Sequence, residues 1–281
     1  MMINRRYLHG FGIAAALILS GLGVSPAHAQ SSRPRVNADY LFHRGNVTLT
    51  LAAGGAAFTD FRQAQARTLG AGSVASPAFT RRVSAQTSTT GTAGLAVWLS
   101  PRTAIQLGMF YTPTRFRVIN ETPDADVPAF DNGDTVQFAR LDIWNADVSL
   151  LLRPPVALGR VYPYAILGGG VVRYQAREDD AGLPPEARAA FAGNKARTQW
   201  SAVVGAGAVI PLQRKRLLLT FDLLDHLART PLTESRSTTA FEVGGTTVVL
   251  SPAVETSGSD GIVLTSHVRL VVGVTIPLRL Q

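Results

Sequence analysis

Side chains that could support acid–base or nucleophilic chemistry are sparse in this 281-residue chain. Asp222, Asp225 and His226 fall within one short stretch, and Ser266 directly precedes His267. General acid–base catalysis needs such groups within hydrogen-bond reach of each other and of a substrate. On an extended strand successive side chains point to opposite faces, so Asp225 diverges from His226 and Ser266 from His267. No Gly-x-Ser-x-Gly nucleophile elbow occurs. Gly168-Gly169-Gly170 and Gly205-x-Gly207 look like fragments of a dinucleotide fingerprint, but Arg173 and Ile210 stand where its third glycine belongs. Small residues where strands crowd explain them better. Glu121, Asp124, Asp126, Asp131 and Asp134 make an oxygen-rich loop, but their spacing is no EF-hand, and a solvated acidic loop is the simpler reading. The absence of cysteine excludes disulfide scaffolds, thiol catalysis and Cys-zinc sites. The residues predict no catalytic group, no metal site and no cofactor.

Composition points elsewhere. Hydrophobic residues make up 46% of the chain but charged ones only 16%, against about 25% in ordinary soluble domains. The formal net charge is +8, and apart from Lys195 and Lys215 every basic residue is arginine. Arg5 and Arg6, an apolar run over 12–24 broken by Ser20, and Ala27-His28-Ala29 compose a secretory signal cleaved before Gln30. Residues 1–29 are therefore expected to be a signal peptide, 30–44 an N-terminal periplasmic segment, and 45–281 a single β-barrel. Losing Arg5 and Arg6 lowers the net charge from +8 to +6. No later apolar run is long enough for a membrane-spanning helix.

The elements that must carry any site are strands. Val47, Leu49 and Leu51 alternate with Thr48 and Thr50, and Ile105, Leu107, Met109 and Tyr111 alternate with Gln106 and Gly108. Trp144, Ala146, Val148, Leu150 and Leu152 likewise alternate with Asn145, Asp147 and Ser149. Period two places one set on each face of a sheet. Eight such segments are read, at 46–53, 92–99, 104–111, 144–152, 161–174, 200–210, 217–224 and 262–278. Short connections (100–102, 153–160, 211–215) alternate with long ones (59–89, 112–137, 175–198, 226–261). That layout describes an up-and-down meander elaborated at one end. The short-turn side carries Arg102, Arg153, Arg160, Arg214, Lys215, Arg216 and Arg279 and no acid.

Pro163–Tyr174, Ala202–Leu212, Thr220–Leu227 and Ser266–Leu278 together resemble the small outer-membrane β-barrel superfamily, in the manner of the outer membrane protein A membrane domain. The resemblance implies an all-β, antiparallel, up-and-down transmembrane barrel with long extracellular loops in the Gram-negative outer membrane. Eight strands are expected, or ten if a hairpin at 240–250 joins the wall. Outer-membrane lipids including lipopolysaccharide, the barrel-assembly machinery and periplasmic chaperones are the implied partners, and nucleic acid is not. The chain departs from the pattern in ending Leu280-Gln281, where an aromatic residue is common, and in having only 7% aromatic residues for its interfacial girdles.

An eight-stranded barrel encloses an interior that side chains largely fill. An ion-pair network of Asp147, Arg173, Asp222 and Arg269 is expected there, because unpaired buried charge is too costly and two acids balance two arginines. Gln106, Asn145, Ser149, Thr220 and His267 are expected as further polar lumen residues. Arg62, Arg67, Arg81 and Arg82 in the first long loop are candidates for contact with lipopolysaccharide phosphates. Pro184 to Ala192, followed by Gly193, reads as a short helix in the third. A structural or surface-interaction role follows, ahead of a narrow channel for small solutes or ions. A lipid-modifying barrel enzyme and a soluble periplasmic ligand-binding barrel are the remaining alternatives.

Overall fold

The computed structural model describes residues 42–69, 79–121, 135–155, 158–177, 183, 187, 191, 196–212, 217–232, 239–243, 246–251 and 264–278. All belong to one compact unit, 38–256 with 262–281. The expected signal peptide lies outside the described residues.

The elements are β1 (Val47–Phe58), β2 (Arg62–Leu69), β3 (Phe79–Ala85), β4 (Ser88–Ser100), β5 (Thr103–Glu121), β6 (Thr135–Leu152), β7 (Tyr162–Ala176), β8 (Ala196–Pro211), β9 (Leu218–Arg229), β10 (Thr239–Val243), β11 (Thr246–Ser251) and β12 (Leu264–Leu278). Eight of them close a ring of antiparallel pairs, in the order β1, β4, β5, β6, β7, β8, β9, β12 and back to β1. The closing seam pairs Val47 with Leu278 and runs up to Phe58 with His267. Closure leaves these strands no open edge, so every ladder group has a neighbour. This is a closed antiparallel up-and-down barrel of eight strands.

The alternation seen in the sequence sets which way each strand faces. In β4, Leu95, Val97 and Leu99 are exposed while Ala96 and Trp98 are buried, and in β12 Leu270, Val272, Val274 and Ile276 face out while Arg269 and Val271 face in. Apolar side chains outside and polar ones inside invert the order of a soluble protein. Over the lower half of the wall no outward position of the eight strands carries a charge. Gly159, with φ of +66°, sits at the turn that reverses β6 into β7, where left-handed backbone favours glycine.

Four strands lie outside the ring. β2 and β3 form a hairpin, β3 continues the sheet beside the upper half of β5, β11 pairs with β2, and β10 with β11. The hairpin expected near 240–250 therefore exists as β10 and β11, but it extends a sheet above the barrel rather than inserting into its wall. The wall has eight strands, not ten. β5 and β6 also run far past their expected ends, pairing from Thr103 with Leu152 to Ile119 with Thr135.

Candidate functional site

The barrel interior is layered. At the short-turn end Phe42, buried at 1% exposure, packs edge-on against Trp98 at 4.7 Å and near Tyr162 at 5.7 Å, with the Arg153 guanidinium 4.2 Å from its ring centroid. Ala96, Ala104, Leu151, Tyr164, Val209 and Leu218 complete this apolar stopper. At the opposite end Phe61, Phe116, Val118, Leu141, Ile143, Val172, Phe191 and Leu232 form a second one. Leu183, Ala187 and Phe191 join it from the loop between β7 and β8, and Ala187 and Phe191 are helical. Their i, i+4 spacing puts them on one helix face. The rest of the short helix expected there lies outside the described residues.

Between the stoppers the lumen is polar. Asp147 on β6 accepts from Ser149 Oγ at 2.9 Å and from His226 Nε2 at 3.2 Å. His226 Nδ1 accepts from Arg269 Nη1 at 2.7 Å, and Arg269 Nη2 donates to Asn145 Oδ1 at 2.6 Å. Arginine has no acceptor, so the imidazole must present a lone pair at Nδ1 and carry its proton on Nε2, aimed at the carboxylate. A neutral histidine thus bridges a buried cation and a buried anion. Phe110 flanks both, with its ring 5.0 Å from the His226 ring and 5.2 Å from the Arg269 guanidinium. Below them Tyr164 Oη donates to Asp222 Oδ1. Thr275 links Thr50 at 2.6 Å to Thr220 at 2.7 Å across three strands. Above them Tyr174 Oη lies 3.0 Å from His267 Nε2, inside a cage of Phe58 and Phe61.

Glycines make room for the acids. Gly108 is the cross-strand partner of Asp147 and Gly207 that of Asp222. A Cβ at Gly207 would stand 2.1 Å from Asp222 Oδ1 and 2.5 Å from Tyr164 Cζ. Gln106 faces two small voids of about 10 and 30 Å³, the first also lined by Asp147, Ser149 and Asp222. Such volumes hold about one or two waters.

Of the expected lumen residues, Gln106, Asn145, Asp147, Ser149, Thr220, Asp222, His267 and Arg269 all face inward. Arg173 does not. It is exposed on the outer wall, between inward-facing Val172 and Tyr174. The run Gly168 to Val172 blurs the alternation that would have set its phase. The balance of two acids and two arginines is therefore replaced by Asp147 with Arg269 through His226, and Asp222 with Tyr164. Trp98, Tyr164 and Tyr174 face the lumen, whereas Tyr111 and Trp200 face out. The four loop arginines lie on β2 and β3. Only the Arg82 side chain is among those described, 3.9 Å from Asp60. Among the described residues no group of three or more His, Asp or Glu could hold a metal ion; four of the acids of the loop after β5 lie outside them.

No protein-family model and no curated protein matches the chain. Its barrel is similar in shape to solved structures. The outer membrane protein OprG from Pseudomonas aeruginosa aligns with 84% of this chain and 98% of its own, at TM-score 0.43 and 10% identity. Ail, the attachment invasion locus protein of Yersinia pestis, in complex with the heparin analogue sucrose octasulfate, aligns with 82% and 99%, at 0.33 and 9%. The outer membrane protease OmpT from Escherichia coli aligns with 83% and 97%, at 0.33 and 9%.

Proposed function

We propose that this chain is an outer-membrane barrel with a structural or surface-interaction role, whose lumen is a packed interior and not a passage. The observation that carries this reading is the sealing of the polar layer between two apolar stoppers, one built around Phe42 and Trp98 and the other around Phe61 and Phe116. Membrane residence is supported by an outer wall whose lower half carries no charge and by the exposure of Leu107, Met109, Val148, Leu270 and Leu167 on the outer face. Water would penalise such an apolar belt, and hydrocarbon rewards it.

Catalysis is not the favoured reading. His226 is fully buried, and both ring nitrogens are already engaged by Asp147 and Arg269, leaving none to activate a nucleophile. A narrow path for water or small ions is the second reading, favoured by the voids beside Gln106 and Asp222. Membrane fractionation, with gel migration before and after boiling, tests the main proposal. Outer-membrane recovery and a heat-dependent shift are expected, and recovery as soluble periplasmic protein would overturn it. Planar-bilayer recording separates the two readings: steady conductance by the purified barrel would favour the second.

A further inference from the structure

Three polar groups of the lumen have hydrogen-bonding capacity that the chain leaves unused, and they meet at one void. Asp222, 8% exposed, accepts from Tyr164 at Oδ1, and among the described residues nothing else bonds its carboxylate. Thr92 on β4 and Gln106 on β5 face inward, and among the described residues neither side chain has a hydrogen-bond partner. All three line the void of about 10 Å³, together with Thr50, Asp147 and Ser149. Glycines shape it. A Cβ at Gly94 would stand 2.6 Å from Gln106 Nε2, and one at Gly108 2.9 Å from Asp147 Oδ1. Polar groups shut away from bulk solvent are almost always satisfied, and an exception calls for a water or an ion.

Charge decides between the two. Within the polar layer Asp147 and Asp222 bring two negative charges and Arg269 one positive charge. His226 is neutral, and a proton on His267, two residues from Arg269 on the same face, would set one cation beside another. Arg269 is committed to Asp147 through His226, which leaves Asp222 facing only the neutral Tyr164 hydroxyl. Arg153 reaches the lower void from the short-turn end, but its guanidinium lies over the Phe42 and Tyr162 rings and forms no ion pair with Asp222. A water would satisfy the hydrogen bonds and leave the carboxylate unbalanced, which is costly in a site closed to solvent. A cation does both. The deficit is a single charge, the donors are hard oxygens, and a void of this size, with room for about one water, admits a small ion.

We propose that the void beside Thr92, Gln106 and Asp222 binds one dehydrated monovalent cation, sodium, enclosed as the barrel closes. The site rests on the packed-lumen reading, because the stoppers keep the ion in place. The test follows the urea unfolding equilibrium of the full chain in phospholipid vesicles as sodium chloride replaces N-methylglucamine chloride at constant ionic strength. The wild type should gain about tenfold in its folded-to-unfolded ratio for each tenfold rise in sodium above the dissociation constant. Asp222→Asn should lose this dependence. Thr92→Val keeps every charge and nearly the same shape, and should shift the dependence to about tenfold higher sodium, the worth of one contact to a charged group. Radiolabelled sodium present during folding should stay on the wild type after desalting, one per chain, and be absent from Asp222→Asn. No sodium dependence in the wild type overturns the proposal and means that Asp222 holds a proton instead. A dependence unchanged in both variants is a general salt effect and overturns it too. If Asp222→Asn does not fold, Thr92→Val decides alone, an unshifted dependence refuting the site. Planar-bilayer recording keeps two failures apart: a silent barrel without sodium binding refutes this site alone, whereas steady conductance refutes the packed lumen beneath it.

Discussion

The most constrained side chain in the lumen is His226, because its neighbours dictate its proton. Arg269 can only donate to it and Asp147 accepts from it. Replacing His226 by Leu leaves a buried guanidinium and a buried carboxylate without their bridge. Breaking such an arrangement costs on the order of 3 kcal/mol, read as a lowered urea midpoint of the vesicle-folded barrel. His226→Gln, whose amide can both donate and accept, should recover most of that loss. Equal loss in both variants would mean that the histidine contributes volume rather than hydrogen bonds. Gly207 makes a second prediction. A valine there would drive its Cβ into Asp222 and Tyr164, at a cost of about 1–3 kcal/mol in the same titration. Strand alternation alone located Asn145, Asp147, Ser149 and Asp222, because Trp144, Val148, Phe221 and Leu223 bracket them with apolar neighbours. His226 escaped it. The stretch Asp225 to Arg229 holds three titratable residues and looks like loop, yet β9 runs on through it.

Elements show the same division between what a strand pattern carries and what it cannot. The membrane-facing part of each wall strand was legible because its outward face is uniformly apolar. The upper extensions were not, since Arg115 falls in the stretch 112–137 read as a long connection, and Arg140 and Asp142 interrupt the apolar alternation above Trp144. They extend because β5 and β6 keep pairing above the apolar belt, with β3 alongside β5. The stoppers were invisible for another reason. Phe42 lies outside every periodic segment, and only the closed barrel brings it onto Trp98. Phe42→Ala should cost about 3–5 kcal/mol through the cavity it leaves in the lower stopper. It should not open the barrel, because the upper cluster around Phe61 and Phe116 stays intact. Planar-bilayer recording of this variant checks that: steady current from Phe42→Ala would mean that the upper cluster does not seal.

For the whole molecule, the shortage of charge and the excess of arginine turn out to be a matter of placement. Charge is absent from the lower outer belt, confined inside to a few residues bonded to one another, and concentrated in arginines of the upper wall and of the short-turn side. A water-soluble barrel has no use for such zoning, because a charge on its outer face costs nothing. Val148 therefore offers a direct discrimination. It is 53% exposed, lies at the centre of the apolar stretch Trp144 to Leu152 on β6, and is flanked in the ladder by Leu107 and Gly169. In a bilayer Val148→Arg places a guanidinium near the hydrocarbon midplane, at a cost of about 2–4 kcal/mol, whereas Ser100→Arg at the lower rim should cost about 0–1 kcal/mol. Equilibrium urea titrations of folding into phospholipid vesicles measure both. If Val148→Arg proved as stable as Ser100→Arg, the apolar belt would not be facing lipid, and the zoning of charge would need another cause.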